Sequence, residues 1–182
     1  MRTLRLSLVG TVILALLGGM GGTVVGQEPI LDPRVTAVSG TVTAATPDTA
    51  DEEWWVEDAI GHARAYKVSE AVEWSDPRLG DGVMWSLNFD MYELSQSKQM
   101  PVTGTAWIRG PDGHWTGTST GFCDPYGDCR SMIVLTGHDG YDGLFATILG
   151  AGNDAKGESA YEGLIFEGEM PPMPDPVQPP AG

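Results

Sequence analysis

Eight short segments with the alternating pattern of β-strands, separated by turn residues, limit what this chain can fold into more than any other feature. The clearest is 83–91, where apolar and polar residues alternate, as in a strand with one buried face. We expect its apolar residues to belong to the core: Val83, Trp85, Leu87, Phe89 and Met91. The eight segments are 34–45, 62–74, 83–91, 102–109, 114–122, 130–136, 141–149 and 161–170.

No helical segments alternate with these strands, which argues against a parallel βαβ sheet. The pattern predicts an all-β domain over residues 35–170, either an antiparallel up-and-down β-barrel of about eight strands or a β-sandwich. We favour the barrel because closure removes the exposed edges of a sheet.

Two similar segments near the C-terminal end, 137–145 and 157–165, share the order Gly, three residues, Tyr, an acid, Gly, Leu. We interpret them as the starts of two strands, marked by Tyr141 and Tyr161. Glycine inside a strand pattern marks a bulge, a bend or a close backbone approach. Repeated bends of that kind predict two neighbouring strands that curl the sheet toward closure.

Two local predictions concern the connections between strands. Thr49 and Glu52 have the spacing of a helix capping box, which would start a helix running to Ala65. The apolar alternation after it favours a strand over 62–74, so we predict that strand, with a possible short helix before it. At the turn 110–113, a three-residue hairpin loop would place Arg109 opposite Trp115, which allows cation–π stacking.

The N-terminal residues 1–26 have the features of a secretory signal peptide: a basic start, an apolar middle and small residues before Gln27. An uncleaved membrane anchor is the alternative, since the uncharged run is just long enough to span a bilayer. Glycines and a short leucine core favour cleavage and a secreted protein. A polar leader at 27–34 and a proline-rich tail at 171–182 would then flank the barrel.

Cys123 and Cys129 are the two cysteines, and they flank a short turn that contains Pro125 and Gly127. In an oxidising compartment, such a pair predicts a disulfide that closes the turn.

The net charge is −15, from 10 basic and 25 acidic residues. Removal of Arg2 and Arg5 with the signal peptide leaves 8 basic against 25 acidic residues, a charge of −17. Such a surface repels phosphates and anionic lipid headgroups, so we expect no nucleic-acid partner and no stable membrane insertion after cleavage.

The sequence predicts no metal site, no cofactor and no assigned catalytic residue. His62, His114 and His138 lack a metal-ligand spacing, and no serine lies in a nucleophile elbow. Aspartates in the glycine-rich loops favour a role in turns over calcium binding, because the order of an EF-hand loop is missing. They are Asp124, Asp128, Asp139, Asp142 and Asp154.

Four tryptophans are the candidate ligand-binding residues: Trp54, Trp55, Trp107 and Trp115. Two lie beside acids and two lie in a hairpin rich in threonine and glycine, where an exposed indole can form a platform for a sugar or an apolar ligand. The alternative is that these side chains pack at one end of the barrel.

The segments 75–80, 110–121 and 161–168 together resemble a group of uncharacterised bacterial secreted proteins. The glycine motif around Tyr161 is also similar to a late strand of the allene oxide cyclase and dirigent barrels. The resemblance implies an eight-stranded antiparallel barrel with an apolar cavity over about residues 35–170. The polar cavity residues of those enzymes match no positions here, so the resemblance assigns no catalytic residue.

These features favour a non-enzymatic module that binds an apolar small molecule or a carbohydrate, or a partner on its tryptophan surface. A cyclase-like or dirigent-like barrel that orients a reactive intermediate is the rival, and a structural envelope protein is a third possibility. The barrel interior discriminates among them. An apolar cavity favours binding, a buried acid or a Tyr–carboxylate pair favours catalysis, and a filled interior favours a structural role.

Overall fold

Nine β-strands form the part of the chain that this computed structural model describes, which is residues 34–48, 50–92, 100–124, 126–153, 156, 158–168 and 170. The predicted signal peptide, nearly all of the leader, the proline-rich tail and Asp154 lie outside the described residues. The strands are β1 (Val35–Asp48), β2 (Glu53–Glu57), β3 (Ile60–Trp74), β4 (Gly82–Tyr92), β5 (Met100–Arg109), β6 (Gly113–Cys123), β7 (Asp128–Asp139), β8 (Leu144–Asn153) and β9 (Glu158–Glu167).

Eight of these strands form a closed antiparallel barrel, which confirms the predicted fold. The sheet runs in the order β1-β9-β8-β7-β6-β5-β4-β3, and an additional pairing of β1 with β3 closes it. Successive strands from β3 to β9 are neighbours, the arrangement of an up-and-down barrel. In the described part of the chain no apolar helix reaches the length needed to cross a bilayer.

The extra strand β2 continues the line of β1 along one edge of β3. The β1–β3 pairing ends at Asp48 opposite Lys67, and the β2–β3 pairing begins at Glu53 opposite Arg64. The possible short helix before β3 is therefore wrong. Aromatic and β-branched residues favour a strand at β2, and Asp58 and Ala59, both with positive φ, make a tight turn into β3.

The two similar glycine segments contain the starts of two neighbouring strands, as predicted, but the strands begin at different points of the motif, β8 at Leu144 and β9 at Glu158. Residues 141–143 form the turn between β7 and β8, where Asp139 and Gly143 have positive φ. Tyr161 and Gly163 instead lie inside β9, which pairs with β8. A Cβ at Gly163 would meet the backbone of β8, so this glycine permits a close approach of the two strands.

The hairpin between β5 and β6 has a shorter loop than predicted. The Gly110 N–H donates to the Gly113 carbonyl at 3.0 Å, which leaves a two-residue loop. Arg109 consequently pairs with His114, and Trp115 pairs with Ile108. The predicted pairing of Arg109 with Trp115 is therefore wrong by one residue.

A dense apolar core fills one half of the barrel. Trp115 stacks on Tyr141 with 5.2 Å between ring centroids, and its Nε1 donates to the Arg78 carbonyl at 2.8 Å. The turn between β3 and β4 contains a 3₁₀ helix, Pro77–Leu79, which inserts Leu79 into this core. The largest fully buried side chains all belong to this half or to the middle of the barrel: Trp115, Leu79, Ile108, Leu135, Ile148 and Ile165.

Asp76 and Arg78 hold the 3₁₀ turn against the barrel. The Asp76 carboxylate accepts hydrogen bonds from Nε and Nη2 of Arg78, at 3.0 and 2.7 Å, and from the Arg78 N–H at 3.0 Å. Arg78 Nη2 also donates to Thr36 Oγ1 at 3.0 Å, which ties the turn to β1. The hydrogen bonds from the Arg78 guanidinium hold the pKa of Asp76 below its ordinary value.

We expect Asp76→Asn to destabilise the fold by about 1–3 kcal/mol near neutral pH, because it removes charge-assisted hydrogen bonds. Since the folded pKa lies below the unfolded value of about 3.9, the carboxylate stabilises the fold fully above that pH. Its contribution is lost as pH falls through the folded pKa. Urea unfolding of both proteins should therefore show a difference that shrinks below about pH 4.

Asp81→Asn, which changes an exposed carboxylate in the same connection, is the matched control. A difference between wild type and Asp76→Asn that stays constant from neutral to acidic pH would contradict the proposed role of the Asp76 carboxylate.

Candidate functional site

The other half of the barrel contains a cavity of about 620 Å³. It lies where β3, β5, β7 and β9 begin and where β4, β6 and β8 end, opposite the filled half. Its lining residues come from all nine strands, so closure of the barrel is what creates it.

The inward face of β6 explains why the barrel is filled at one end and hollow at the other. Along this face, Trp115 in the filled half is followed by Gly117, Ser119 and Gly121. A large ring fills the interior at one end, and Ser119 and Gly121, which are small, line the cavity at the other. The cavity is therefore built into the sequence of β6, since packed interiors leave such voids only where side chains are small.

Apolar side chains of β4 form one wall of the cavity. The face predicted from the alternation of residues 83–91 does point into the barrel, and Trp85, Leu87, Phe89 and Met91 line the cavity. Phe89 makes edge-to-face contacts with Trp54 and with Tyr66, at centroid distances of 5.2 and 5.7 Å. These contacts give the cavity an aromatic wall near β2.

A buried carboxylate lies at the inner end of the cavity. Glu70 of β3 is 7% exposed, and its Oε2 accepts hydrogen bonds from Tyr161 Oη at 2.5 Å and from Trp85 Nε1 at 2.8 Å. Burial of a carboxylate is costly unless donors compensate for the lost water, and these two donors supply that compensation. Two buried serines, Ser119 and Ser159, also line the cavity.

Glycines on both neighbouring strands make room for the Tyr161 ring. Tyr161 pairs with Gly40 of β1 on one side and with Gly150 of β8 on the other. A Cβ at Gly150 would lie 2.8 Å from Cε1 of Tyr161, and a Cβ at Gly40 would meet the Trp74 ring. Trp74 in turn stacks on Tyr161 with 5.3 Å between centroids. The phenol is thus held in one position, with its hydroxyl on Glu70.

The four candidate tryptophans occupy different parts of the molecule. Trp54 lines the cavity and is 47% exposed. Trp55 stacks on His62 with 4.8 Å between ring centroids, and Arg64 Cζ lies over the Trp55 ring, 5.1 Å from its centroid. The Trp107 and His114 ring centroids are 6.3 Å apart. Neither Trp55 nor Trp107 lines the cavity. Trp115 is 0% exposed, so its indole packs inside one end of the barrel, which was the alternative to ligand binding.

The predicted disulfide between Cys123 and Cys129 is present, with an S–S distance of 2.00 Å. The two residues are directly opposite in the β6–β7 pairing, and both line the cavity. Within the turn that they close, Asp124 Oδ1 accepts hydrogen bonds from the backbone N–H groups of Tyr126 and Asp128, at 2.8 and 3.0 Å. Asp124 therefore has the role in a turn that its composition indicated.

The histidines lie away from the cavity, and two of the three pair with carboxylates. His62 Nδ1 lies 2.7 Å from Asp90 Oδ1, and His114 Nδ1 lies 2.9 Å from Asp139 Oδ2. Arg64 and His62 hold the pKa of Asp90 below its ordinary value through hydrogen bonds. Among the described residues, no three His, Cys, Asp or Glu side chains come together as a metal site.

Glu70 is the residue that the sequence prediction missed. It has the same parity as Val68 and Val72, so its position on an otherwise apolar face of the predicted strand was a usable signal. Tyr161 was noticed only as part of a glycine motif. Its partnership with Glu70 depends on the pairing of distant strands, which no local pattern reports.

We expect Tyr161→Phe to lower the free energy of unfolding by about 1.5–3 kcal/mol, because Glu70 loses one of its donors while buried. The ring and its stacking on Trp74 are retained, so the change isolates the hydrogen bond. Urea denaturation followed by circular dichroism measures the effect. Tyr126→Phe, at a side chain that is 80% exposed, is the matched control and should change stability by less than about 0.5 kcal/mol. Equal effects of the two changes would contradict a stabilising Tyr161–Glu70 hydrogen bond.

Comparison with known proteins gives this cavity no characterised counterpart. No protein-family model, curated protein or solved structure matches the chain. The resemblance to allene oxide cyclase and dirigent barrels therefore stays a prediction, and a proposal on function depends on the cavity and its side chains.

Proposed function

We propose that this chain is a small-molecule-binding barrel that takes an apolar ligand into its hollow half. The observation that carries the proposal is the 620 Å³ cavity with apolar walls. Its size falls within the range of about 300–1,000 Å³ typical of small-molecule sites. A purely structural protein gains nothing from such a void, since unfilled interior volume costs stability.

The distribution of polar groups supports an apolar ligand over a carbohydrate. A sugar presents hydroxyl groups on all sides and needs polar partners on all sides. The wall formed by β4 instead offers Leu87, Phe89 and Met91, and buried polar side chains lie at the inner end, around Glu70. Such an arrangement suits an elongated molecule that is apolar along its length.

Filling the cavity should abolish ligand binding. Val102 is half-buried and lines the cavity, so Val102→Trp places a large ring in the space for the ligand. Thr103→Trp, at the adjacent exposed position on the outer face of β5, is the matched control. We expect an apolar fluorescent probe, and any molecule that co-purifies from the native host, to bind wild type and Thr103→Trp but not Val102→Trp. Native mass spectrometry and probe titration measure this. Equal binding by all three folded proteins would contradict a ligand site in the barrel.

Proton transfer on the bound molecule is a second candidate function. It is favoured by one observation, the Tyr161–Glu70 pair at the inner end of the cavity, because paired acidic groups in a cleft are candidate general acids and bases. The resemblance to cyclase and dirigent barrels would imply a cavity that orients a reactive intermediate. Recovery of the bound molecule after incubation distinguishes the two functions: an unchanged mass and structure supports binding, and isomerisation by wild type but not by Glu70→Gln supports catalysis.

We further propose that the protein acts outside the cytoplasm. The Cys123–Cys129 disulfide suits an oxidising compartment, and the sequence of residues 1–26 supports export by a cleaved signal peptide. N-terminal sequencing of the protein exported by its host should give Gln27 as the first residue. A first residue of Met1 would contradict cleavage.

A further inference from the structure

We infer that the ligand of this cavity is a hydrocarbon chain long enough to leave the barrel, and that its outer part lies on an apolar lip at the mouth. The lip consists of β2 and the adjoining segments 60–63 of β3 and 89–92 of β4. The inference depends on the proposed ligand-binding function, and it identifies the class and the length of the ligand.

The lip extends beyond the closed part of the barrel. On one side, the pairing of β3 with β1 ends at Lys67. On the other side, the pairing of β4 with β5 ends at Phe89, opposite Val102. Residues 60–63 therefore pair only with β2 and β4. The lip is thus a three-stranded part of the barrel wall that continues outward past the mouth.

One face of the lip continues the inner wall of the cavity. Val56 of β2 pairs with Gly61 of β3, which pairs with Met91 of β4. Directly paired residues of neighbouring strands have their side chains on the same face. Because Met91 lines the cavity, Val56 lies on the cavity side of the lip, two positions farther out than Trp54, which also lines the cavity. Val56 itself is not one of the lining residues.

This face of the lip is apolar and exposed. Trp54, Val56 and Met91 are 47, 76 and 37% exposed. The acidic residues Glu53 and Glu57 alternate with the apolar residues of β2 and so belong to its opposite face. Contiguous exposed apolar surface is typical of binding grooves. A ligand chain that leaves the cavity along this face would remove the apolar surface from water and gain affinity by doing so.

Contacts on the opposite face hold the lip in position. His62 Nδ1 lies 2.7 Å from Asp90 Oδ1, and Arg64 Nη1 lies 2.8 Å from the same oxygen. Trp55 of β2 stacks on the His62 ring. These contacts join all three strands of the lip. A wall that is ordered before the ligand arrives costs less entropy on binding.

The length of this path sets the length of the ligand. From Gly61 on the lip to Glu70 at the inner end of the cavity, β3 spans about 25–30 Å, at about 3.3 Å per residue. The hydrocarbon core of a bilayer is about 30 Å thick and holds two acyl chains end to end. A ligand that reaches from the inner end to the lip is therefore longer than one common acyl chain.

A neutral hydrocarbon chain suits the lip better than a second protein molecule or an anionic membrane does. The protein carries a net charge of −15, which repels both of those partners. A neutral chain meets no such repulsion. Once its inner part is held in the cavity, its outer part is already beside the lip.

Three isoprenoid alcohols of increasing length test the inference: geraniol, farnesol and geranylgeraniol, each below its solubility limit. Competition with an apolar fluorescent probe gives their dissociation constants, with the probe's own constant measured for every variant. We expect Val56→Gln to weaken binding of geranylgeraniol at least about fivefold and to leave geraniol within about twofold of wild type. The reason is that only the longer chain reaches Val56.

Glu57→Gln introduces the same residue at the adjacent position on the opposite face of β2 and is the matched control. It should leave all three alcohols within about twofold of wild type. Val56→Thr keeps the branched side chain that strands favour and should weaken geranylgeraniol in the same direction as Val56→Gln, by a smaller factor. Circular dichroism checks the fold of each variant, and sedimentation velocity without ligand measures the oligomeric state.

The failures of the two proposals are distinguishable. Absence of binding by all three alcohols, or binding that survives Val102→Trp, would overturn ligand binding in the barrel and the inference with it. Binding that Val102→Trp abolishes, and that Val56→Gln changes at no chain length or equally at all three, would overturn only the inference. Loss of a wild-type dimer in Val56→Gln would also overturn it, because the lip would then be an interface between copies of this chain.

Discussion

The pairing of β1 with β3 is the interaction on which the rest of this structure depends. Glu70 lies on β3 and Tyr161 on β9, and β1 lies between them, paired with both strands. Closure therefore brings together two side chains that are 91 positions apart in the sequence, at 2.5 Å. Without this pairing, Glu70 would lie on the edge of an open sheet, and the cavity would be open between β1 and β3. Both strands would also expose unpaired backbone groups.

The strand β3 is 15 residues long, and the part of it that extends beyond its pairing with β1 pairs with β2. One edge of β3 pairs with β4 from Ile60 to Ala71, while its other edge is divided between β1 and β2. The extra strand covers the part of β3 that extends beyond β1 and brings Trp54 to the cavity. The strand β2 thus protects an edge of β3 and supplies Trp54 to the aromatic wall of the cavity.

Local patterns predicted most of the barrel because strand alternation is a local property. All eight predicted strands are present, and the face of β4 predicted to be buried does point inward. Errors occurred where two local signals competed. The spacing of Thr49 and Glu52 suggested a helix where aromatic residues form β2, and the Pro–Asp–Gly turn fits loops of two and three residues alike. The parity of Glu70 with Val68 and Val72 indicated its inward position, but its partner Tyr161 is identified only by the register of distant strands.

The division of the barrel into a filled half and a hollow half also separates two kinds of selection on its sequence. Substitutions around Trp115 and Tyr141 act on the stability of the whole sheet, since that half holds the largest fully buried ring. Substitutions at Met91 and Val102 change the walls of a space that is already unfilled, so they alter its shape with less disturbance of packed neighbours. A lineage of such barrels can therefore diversify in the shape of its cavity while its scaffold stays fixed.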